Sequence, residues 1–376
     1  MPQVPVIESR IMPSNPKHPL IAKTRILLGA CADAMNGVAA YYAGHDCDVT
    51  VGVAGGTDGG TDGTLITVTG WHIYMRVDGK HLVLEVGAKS EAGVAQVKSA
   101  VIAVLQSVMP EADLDCRWRG AGQSNGKLPN FRELSVIGVT DLSPHMRRLR
   151  LAGTDLAAYG SDGIHVRLLI PPRGVSAPKW PTLAANGMPI WPEGEDAVAP
   201  RVYTIRRIDA DAGWIDIDFV MHGDNGPGST FARHAIVGDR VGMTGPLGGE
   251  LPNADWFLFT GDETALPAIG RYLEELPEHA CGHAVIEVGS RDDIIALATK
   301  SRVAIKWVCR DDGAASDLDP IRDAISRIEI PHRTARVYCW AGVEQAIYKP
   351  IHQMWRKETG LDRDQCLAMT FWRKTA

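Results

Sequence analysis

Hydrophobic and polar positions follow different periods in successive stretches of the chain, and the changes of period divide it into regions. Residues 1–20 are rich in proline and read as an extended tail. Residues 25–43 are alanine-rich and helix-like, and residues 55–63 form a loop of glycine, threonine and aspartate. Strand patterns follow over 65–76 and 81–86, with Asp78-Gly79 as a hairpin signal because both residues tolerate positive φ. Val94, Val97, Val101, Leu105 and Val108 then share one helical face. A small α+β domain over residues 21–120 is predicted, without a cluster of catalytic residue types.

Residues 121–130 (AGQSNGKLPN) have linker composition. Beyond them the period becomes two: Ile215, Ile217, Phe219 and Met221 alternate with Asp216, Asp218 and Val220, the pattern of a half-buried strand. Shorter strand-like runs at 134–139, 146–151, 165–170, 202–208 and 240–244 complete the set expected of an antiparallel β-barrel over 131–250. The proline-rich stretch 171–200, with two tryptophans, reads as a long excursion between two barrel strands, and such loops are often functional. From residue 256 apolar strands at 256–259, 284–288, 303–308, 337–340 and 367–371 alternate with helix-like stretches. Leu266, Ile269, Leu273 and Leu276 share a face in the first, and Asp319-Pro320 is an N-cap followed by proline at the first helical position of a later one. This alternation predicts a parallel-sheet α/β domain over 251–376, and such sheets bind nucleotides at the carboxyl ends of their strands.

Composition narrows the class. A chain of 376 residues exceeds the about 250 to 300 that one core usually sustains, so several domains are expected. Apolar residues make up 45% and charged residues 22%, as in soluble globular proteins, and a net charge of −6 gives no reason to expect nucleic acid as a partner. Seven scattered cysteines without a CxxC pair argue against a disulfide framework or a zinc site. The N-terminus lacks a signal-peptide pattern, and no run approaches about 18 apolar residues, so a cytoplasmic protein without membrane spans is expected.

Four motifs carry chemistry. In Arg201-Val202-Tyr203-Thr204 a strand puts Arg201 and Tyr203 on one face. The arginine fork suits a pyrophosphate, the tyrosine ring an isoalloxazine, and the Thr204 hydroxyl its polar edge; an amphipathic strand with an exposed arginine explains the same residues. His222-Gly223-Asp224-Asn225-Gly226-Pro227-Gly228-Ser229-Thr230 follows the alternating strand, and its glycines and successive N–H groups make an anion cradle or, more simply, a glycine-rich turn. Gly261-Asp262-Glu263-Thr264-Ala265-Leu266-Pro267-Ala268 follows the first parallel strand, where a nicotinamide cofactor docks; it also reads as a capped helix start. Trp340-Ala341-Gly342-Val343-Glu344 and Thr370-Phe371-Trp372-Arg373-Lys374 lie in the C-terminal region, the aromatic pair suiting either the flavin or a buried strand end.

These motifs, in this order, resemble the siderophore-interacting proteins of the ferredoxin-reductase-like flavoenzyme superfamily. The chain departs from that pattern at Gly228, where alanine is usual, at Phe231, where tryptophan is usual, and at Phe371 and Thr375, where tyrosine and glycine are. The resemblance covers residues 131–374; the N-terminal domain looks like an accessory domain of unassigned function. It implies FAD held by Arg201, Tyr203, Thr204, His222, Gly223, Gly226, Pro227, Ser229, Thr230 and Trp372. It implies NAD(P)H at Gly261, Asp262, Glu263 and Thr264, with Ser290 and Arg291 placed for a 2′-phosphate and Asp292 and Asp293 opposing it. The implied partner is a ferric siderophore, met by Arg373 first and then Lys179, Arg173 and Lys374. No residue is singled out as a general acid or base, and no protein metal site is expected. A ferredoxin is an alternative electron donor. The competing readings are a flavin-containing siderophore-binding protein without turnover and an NAD(P)H:flavin or quinone reductase.

Overall fold

The fold is that of a computed structural model, which describes residues 18–45, 47–55, 60–68, 70–122, 126–160, 163–221, 226–248, 251–312 and 319–374. The expected tail lies outside them up to residue 17. The chain forms two compact units, Met1–Phe131 with Lys179–Gly194 and Arg132–Pro178 with Glu195–Ala376.

In the first unit, strands β1 (Leu20–Leu27), β2 (Asp48–Gly55), β3 (Gly60–Val68), β4 (Trp71–Asp78), β5 (His81–Ala88) and β6 (Arg119–Gly120) form one sheet in the order β2-β3-β4-β5-β1-β6. Helices α1 (Cys31–Ala43) and α2 (Glu91–Val108) bury Ala34, Val38, Val97, Val101 and Leu105 with Ile26, Ile73, Met75, Leu84 and Val86. The structure corrects the helix expected over 25–43, whose first residues belong to β1. Ala22, Thr24 and Ile26 are its buried positions, a period of two, and it pairs with β5 along its whole length. The single strand expected over 65–76 is likewise two, β3 and β4, with Gly70 at φ 101° in the turn between them. Nor was β2 expected. It pairs with β3 through register shifts at Val51/Val53 and Val53/Gly55, and such bulges break the alternation that marks a strand.

The second unit opens with β7 (Arg132–Ser143), β8 (Met146–Ala152) and β9 (His165–Ile170). Part of the excursion then packs with the first unit. It carries the short pair β10 (Thr182–Leu183) and β11 (Pro189–Ile190), and Met188 joins the first unit's apolar cluster. There the Trp118 indole N–H donates to the Asn186 carbonyl at 2.8 Å, and Asn186 Nδ2 donates to the Leu114 carbonyl at 3.3 Å.

β12 (Ala199–Asp209), β13 (Trp214–Val220) and, after helix α3 (Pro227–His234), β14 (Arg240–Leu247) complete a closed antiparallel barrel of order β12-β13-β8-β7-β14-β9. Leu149, Leu151, Val166, Leu168, Ile205, Ile215, Ile217 and Phe219 fill it. β13 is not half-buried as its alternation suggests, because Asp216 and Asp218 are buried too. Each accepts a two-pronged ion pair from the residue opposite it on β8, Arg150 (2.8 and 2.9 Å) and Arg148 (2.6 and 2.8 Å). A buried carboxylate is tolerated when paired and hydrogen-bonded in this way.

Five parallel strands follow: β15 (Trp256–Gly261), β16 (Cys281–Val288), β17 (Arg302–Cys309), β18 (Val337–Glu344) and β19 (Cys366–Trp372), in the order β17-β16-β15-β18-β19. Helices α4 (Leu266–Glu275), α5 (Pro320–Ser326) and α6 (Gln345–Gln353) lie in three of the four connections. The alternation of strand and helix is therefore incomplete: β16 and β17 are joined through a 3-10 turn at Arg291–Asp293, without an α-helix. The sheet runs outward from β15 in both directions, so its topological switch point lies between β15 and β18. A ligand crevice is expected there, at the carboxyl ends of those strands.

Candidate active site

The barrel's share of the site is built from β12 and the start of α3. Arg201 and Tyr203 stand two residues apart on β12, opposite Leu168 and Val166 of β9. Arg201 is exposed, with Nη1 donating to the Pro200 carbonyl at 2.8 Å. The Tyr203 ring lies 4.4 Å from that of Phe219, and burial pushes its phenol well above the ordinary value, with Arg201 pulling weakly the other way. Its hydroxyl sits where a side chain at position 228 would begin: a Cβ on Gly228 would stand 1.8 Å from it. The glycine that departs from the family pattern is thus what leaves room for the tyrosine.

Gly226 precedes α3 at φ 128°, a conformation open to glycine, and a Cβ there would meet nothing within 4 Å. Pro227 at the first turn of this helix has no N–H to satisfy. The N–H groups of a first turn lack partners within their own helix and carry the positive end of its dipole. A helix start with open space at Gly226, packed through Gly228 against Tyr203, fits a dinucleotide diphosphate, with Ser229 and Thr230 in the same turn. His222 and Gly223 lie outside the described residues. Thr204 is buried, its hydroxyl 3.1 Å from His165 Nδ1, so it already has a partner.

The sheet's share begins at the switch point. Gly261 of β15 pairs with Gly342 of β18, and a Cβ on Gly261 would stand 2.4 Å from the Gly342 carbonyl oxygen and 2.4 Å from the Ala265 Cβ. Asp262 is buried and serves as a junction. Its Oδ1 accepts from the backbone N–H (2.8 Å) and hydroxyl (2.5 Å) of Thr264, and its Oδ2 accepts from the Trp372 indole at 2.6 Å. Burial raises its pKa, against the pull of those hydrogen bonds. The backbone N–H of Lys374 donates to Glu344 Oε1 at 3.1 Å. Phe371 meets the Trp340 and His165 rings edge-on at 5.7 and 5.6 Å.

Three residues missed by sequence reading, Arg310, Glu287 and His165, stand beside this crevice. Arg310, at the end of β17, pairs with two buried carboxylates, Glu263 from the motif and Glu287 from β16; the Glu287 contact is 2.8 Å. Burial opposes the Arg310 charge, but the two carboxylates hold its pKa above the ordinary arginine value, while burial raises that of Glu287. The signal for Glu287 was a lone charge inside an apolar parallel strand. The third is His165, buried, with Nε2 lacking a hydrogen-bond partner. Burial, aided by the Arg271 charge, lowers its pKa to about 4.

Ser290 and Arg291 do not stand ready for a phosphate. The Ser290 hydroxyl and N–H both donate to Asp293 Oδ2, at 3.0 and 3.1 Å. Asp293 Oδ1 accepts from the Ser143 hydroxyl and from His145, which ties the β7–β8 turn of the barrel to the sheet domain. Burial opposes ionisation of Asp293, yet these hydrogen bonds outweigh it and hold its pKa below the usual carboxylate value. Arg291 pairs with Asp312 at 3.2 and 3.4 Å. Of the four cations expected to meet an anionic substrate, Arg373, Lys374 and Arg173 are exposed residues of the second unit, while Lys179 belongs to the first. Among the described residues no group of three His, Cys, Asp or Glu is placed to hold a metal ion, and no helix is long and apolar enough to cross a membrane.

A closed antiparallel barrel followed by a doubly wound parallel sheet with glycines at its switch point is the layout expected of a flavin-dependent oxidoreductase. Family models described as the siderophore-interacting FAD-binding domain and the siderophore-interacting protein match residues 135–250 and 254–375. The chain belongs to the siderophore-interacting protein family. It is similar to the ferric vibriobactin reductase ViuB of Vibrio cholerae, with 30% identity over 65% of this chain and 89% of that protein. It also resembles the NADPH-dependent ferric-chelate reductase of Escherichia coli, with 29% identity over 64% of this chain and 92% of the relative. Among solved structures, a siderophore utilization protein from T. fusca matches with 35% identity and a TM-score of 0.55, over 65% of this chain and 94% of that one.

Proposed function

We propose that this protein is an FAD-dependent ferric-siderophore reductase that passes electrons from NAD(P)H through the flavin to siderophore-bound Fe(III), releasing Fe(II) for iron supply in the cytoplasm. The observation that carries the reading is the start of α3, open at Gly226 and packed through Gly228 on the Tyr203 hydroxyl of the Arg201-x-Tyr203 strand. The names of the relatives, a ferric vibriobactin reductase and an NADPH-dependent ferric-chelate reductase, support it.

In this reading Arg201 and the first turn of α3, with Gly226, Pro227, Ser229 and Thr230 beside His222 and Gly223, hold the FAD diphosphate. Tyr203, Thr204 and Trp372 orient its ring. Gly261, Asp262, Glu263 and Thr264 shape the nicotinamide pocket at the switch point, where Gly261 lets β15 close against β18 and Ala265. FAD held there would supply acceptance of a hydride from a nicotinamide and its release as two single electrons to two Fe(III) ions, the remaining proton passing to solvent. No side chain need move a proton. Arg373, with Lys374 and Arg173 as further cations of the second unit, draws in an anionic siderophore complex. The released metal follows from ligand preference, since hard oxygen donors hold Fe(III) far better than Fe(II).

The test is the visible spectrum of the purified protein, then anaerobic bleaching with NADH or NADPH, then reoxidation by a ferric siderophore with Fe(II) trapped by a chromogenic chelator. Reoxidation that tracks Fe(II) formation, and its absence with iron-free siderophore, is the expected result. A protein that carries no flavin and binds none overturns the proposal.

A further inference from the structure

The inference concerns the electron donor, and it rests on the proposal that a nicotinamide dinucleotide docks at the carboxyl ends of β15 and β16. In doubly wound sheets the end of the second strand reads the adenosine ribose: a carboxylate there accepts its hydroxyl protons, whereas an arginine there accommodates a 2′-phosphate. In this chain β16 is the second strand outward from the switch point, and the residues at and after its end are Glu287, Ser290, Arg291, Asp292 and Asp293.

Each group that would recognise a phosphate there is already committed. Ser290 gives its hydroxyl and backbone N–H to Asp293, and Asp293 is fixed in turn by Ser143 and His145. The Arg291 guanidinium points its Nε and one terminal nitrogen at Asp312. Arg310, the other cation on this rim, is neutralised by Glu263 and Glu287. The carboxylates Glu263, Glu287, Asp292, Asp293, Asp311 and Asp312 outnumber the two arginines at the ends of β15–β17 and the turns after them. The Arg291–Asp312 pair is exposed and weak on its own, but a dianionic phosphate that displaced Asp312 would still sit among the remaining acids. Asp292 is exposed and has no hydrogen bond or ion pair among the described residues, which suits it to ribose hydroxyls.

We infer that this chain takes a donor whose adenosine ribose is unphosphorylated, NADH rather than NADPH, with Asp312 and Asp292 as the residues that set the preference. In this respect it departs from the relative named for NADPH.

The test uses the full-length, FAD-loaded protein and two fragments that carry no nicotinamide, ADP-ribose and 2′-phospho-ADP-ribose, with binding measured by calorimetry at low salt. ADP-ribose is expected to bind at least about tenfold more tightly, since like charges brought together are strongly penalised. Asp312→Asn frees Arg291 and shifts the affinity ratio toward the phosphorylated fragment by about three- to fivefold. Asp292→Asn shifts it the same way. Equal affinities, a preference for the phosphorylated fragment, or a ratio that neither substitution moves overturns the inference while leaving a nicotinamide donor in place. If neither fragment binds, and dithionite bleaches the flavin while NADH and NADPH do not, the nicotinamide reading fails and the donor inference falls with it.

Discussion

The indole N–H of Trp372 donates a 2.6 Å hydrogen bond to Oδ2 of Asp262, joining residues 110 positions apart in sequence. One belongs to the last strand of the sheet, β19, and the other to the turn after its central strand, β15. Because Oδ1 of the same carboxylate is taken by Thr264, the turn and the chain's C-terminal aromatic segment are held by a single buried group. The conformation of the turn at the switch point therefore depends on whether the last strand is in place.

Trp372→Phe keeps most of the ring and removes the donor, leaving a buried carboxylate oxygen without its partner. The expected cost is about 1–3 kcal/mol of unfolding free energy, read as a lower urea midpoint. An unchanged midpoint would show that solvent replaces the indole without loss.

Gly228→Ala drives a methyl group into the Tyr203 hydroxyl. Either the ring shifts or α3 moves, and both are expected to weaken FAD binding, because these are the groups proposed to border the flavin. Tyr203→Phe removes the atom in closest conflict, so the double variant is expected to recover part of the affinity lost in Gly228→Ala. Additive losses in the double-mutant cycle would show that the two residues act independently.

Gly261→Ala meets backbone on one side and the Ala265 methyl on the other, both at 2.4 Å, with no flexible side chain to yield. Overpacking of this kind costs about 1–3 kcal/mol or more. A lower melting temperature is expected together with loss of nicotinamide binding. A variant that melts with the parent would mean that the β15 and β18 ends separate easily.

His165 makes stability depend on pH. Its folded-state pKa lies at about 4, against the ordinary 6.5, because the site is buried and Arg271 is near. Between those values the unfolded chain binds a proton that the folded protein refuses. The contribution is therefore fully present above pH 6.5 and is lost as pH falls toward 4, amounting to ~3 kcal/mol at the low end. In His165→Asn this part of the acid slope is expected to vanish, as measured by urea midpoints near neutral pH and near pH 4. An identical slope in the variant would refute the assignment.

Much of the fold was legible in the sequence because it is written in local periods. The barrel strands alternate, the central parallel strands β15 and β18 are mostly apolar, and Asp319-Pro320 marks the start of α5, with the Asp319 carboxylate accepting from the N–H groups of Ile321 and Arg322. The errors fell where pairing overrides local preference. Residues 25–27, read together with the alanine-rich helix, belong instead to β1, to which β5 offers a full-length partner. β2 was hidden by bulges, and the polar face of β13 is buried because arginines of β8 lie opposite its aspartates. The site was legible only as residue types. That Thr204 meets His165, and Thr264 meets Asp262, follows from neighbours that no local pattern announces.

The sequence by itself determined the order of the layers and where the glycines, the arginine-tyrosine strand and the acidic turn would fall, since periodicity and turn chemistry act over a few residues. The tertiary structure alone decided which charges are already neutralised. Arg291 with Asp312, Arg310 with Glu263 and Glu287, and Trp372 with Asp262 are joined by strand order and register, and those arise from packing the whole sheet. Ligand choice in a crevice depends on which groups remain unpaired, and a side chain's partner is fixed only when distant segments come to rest against it.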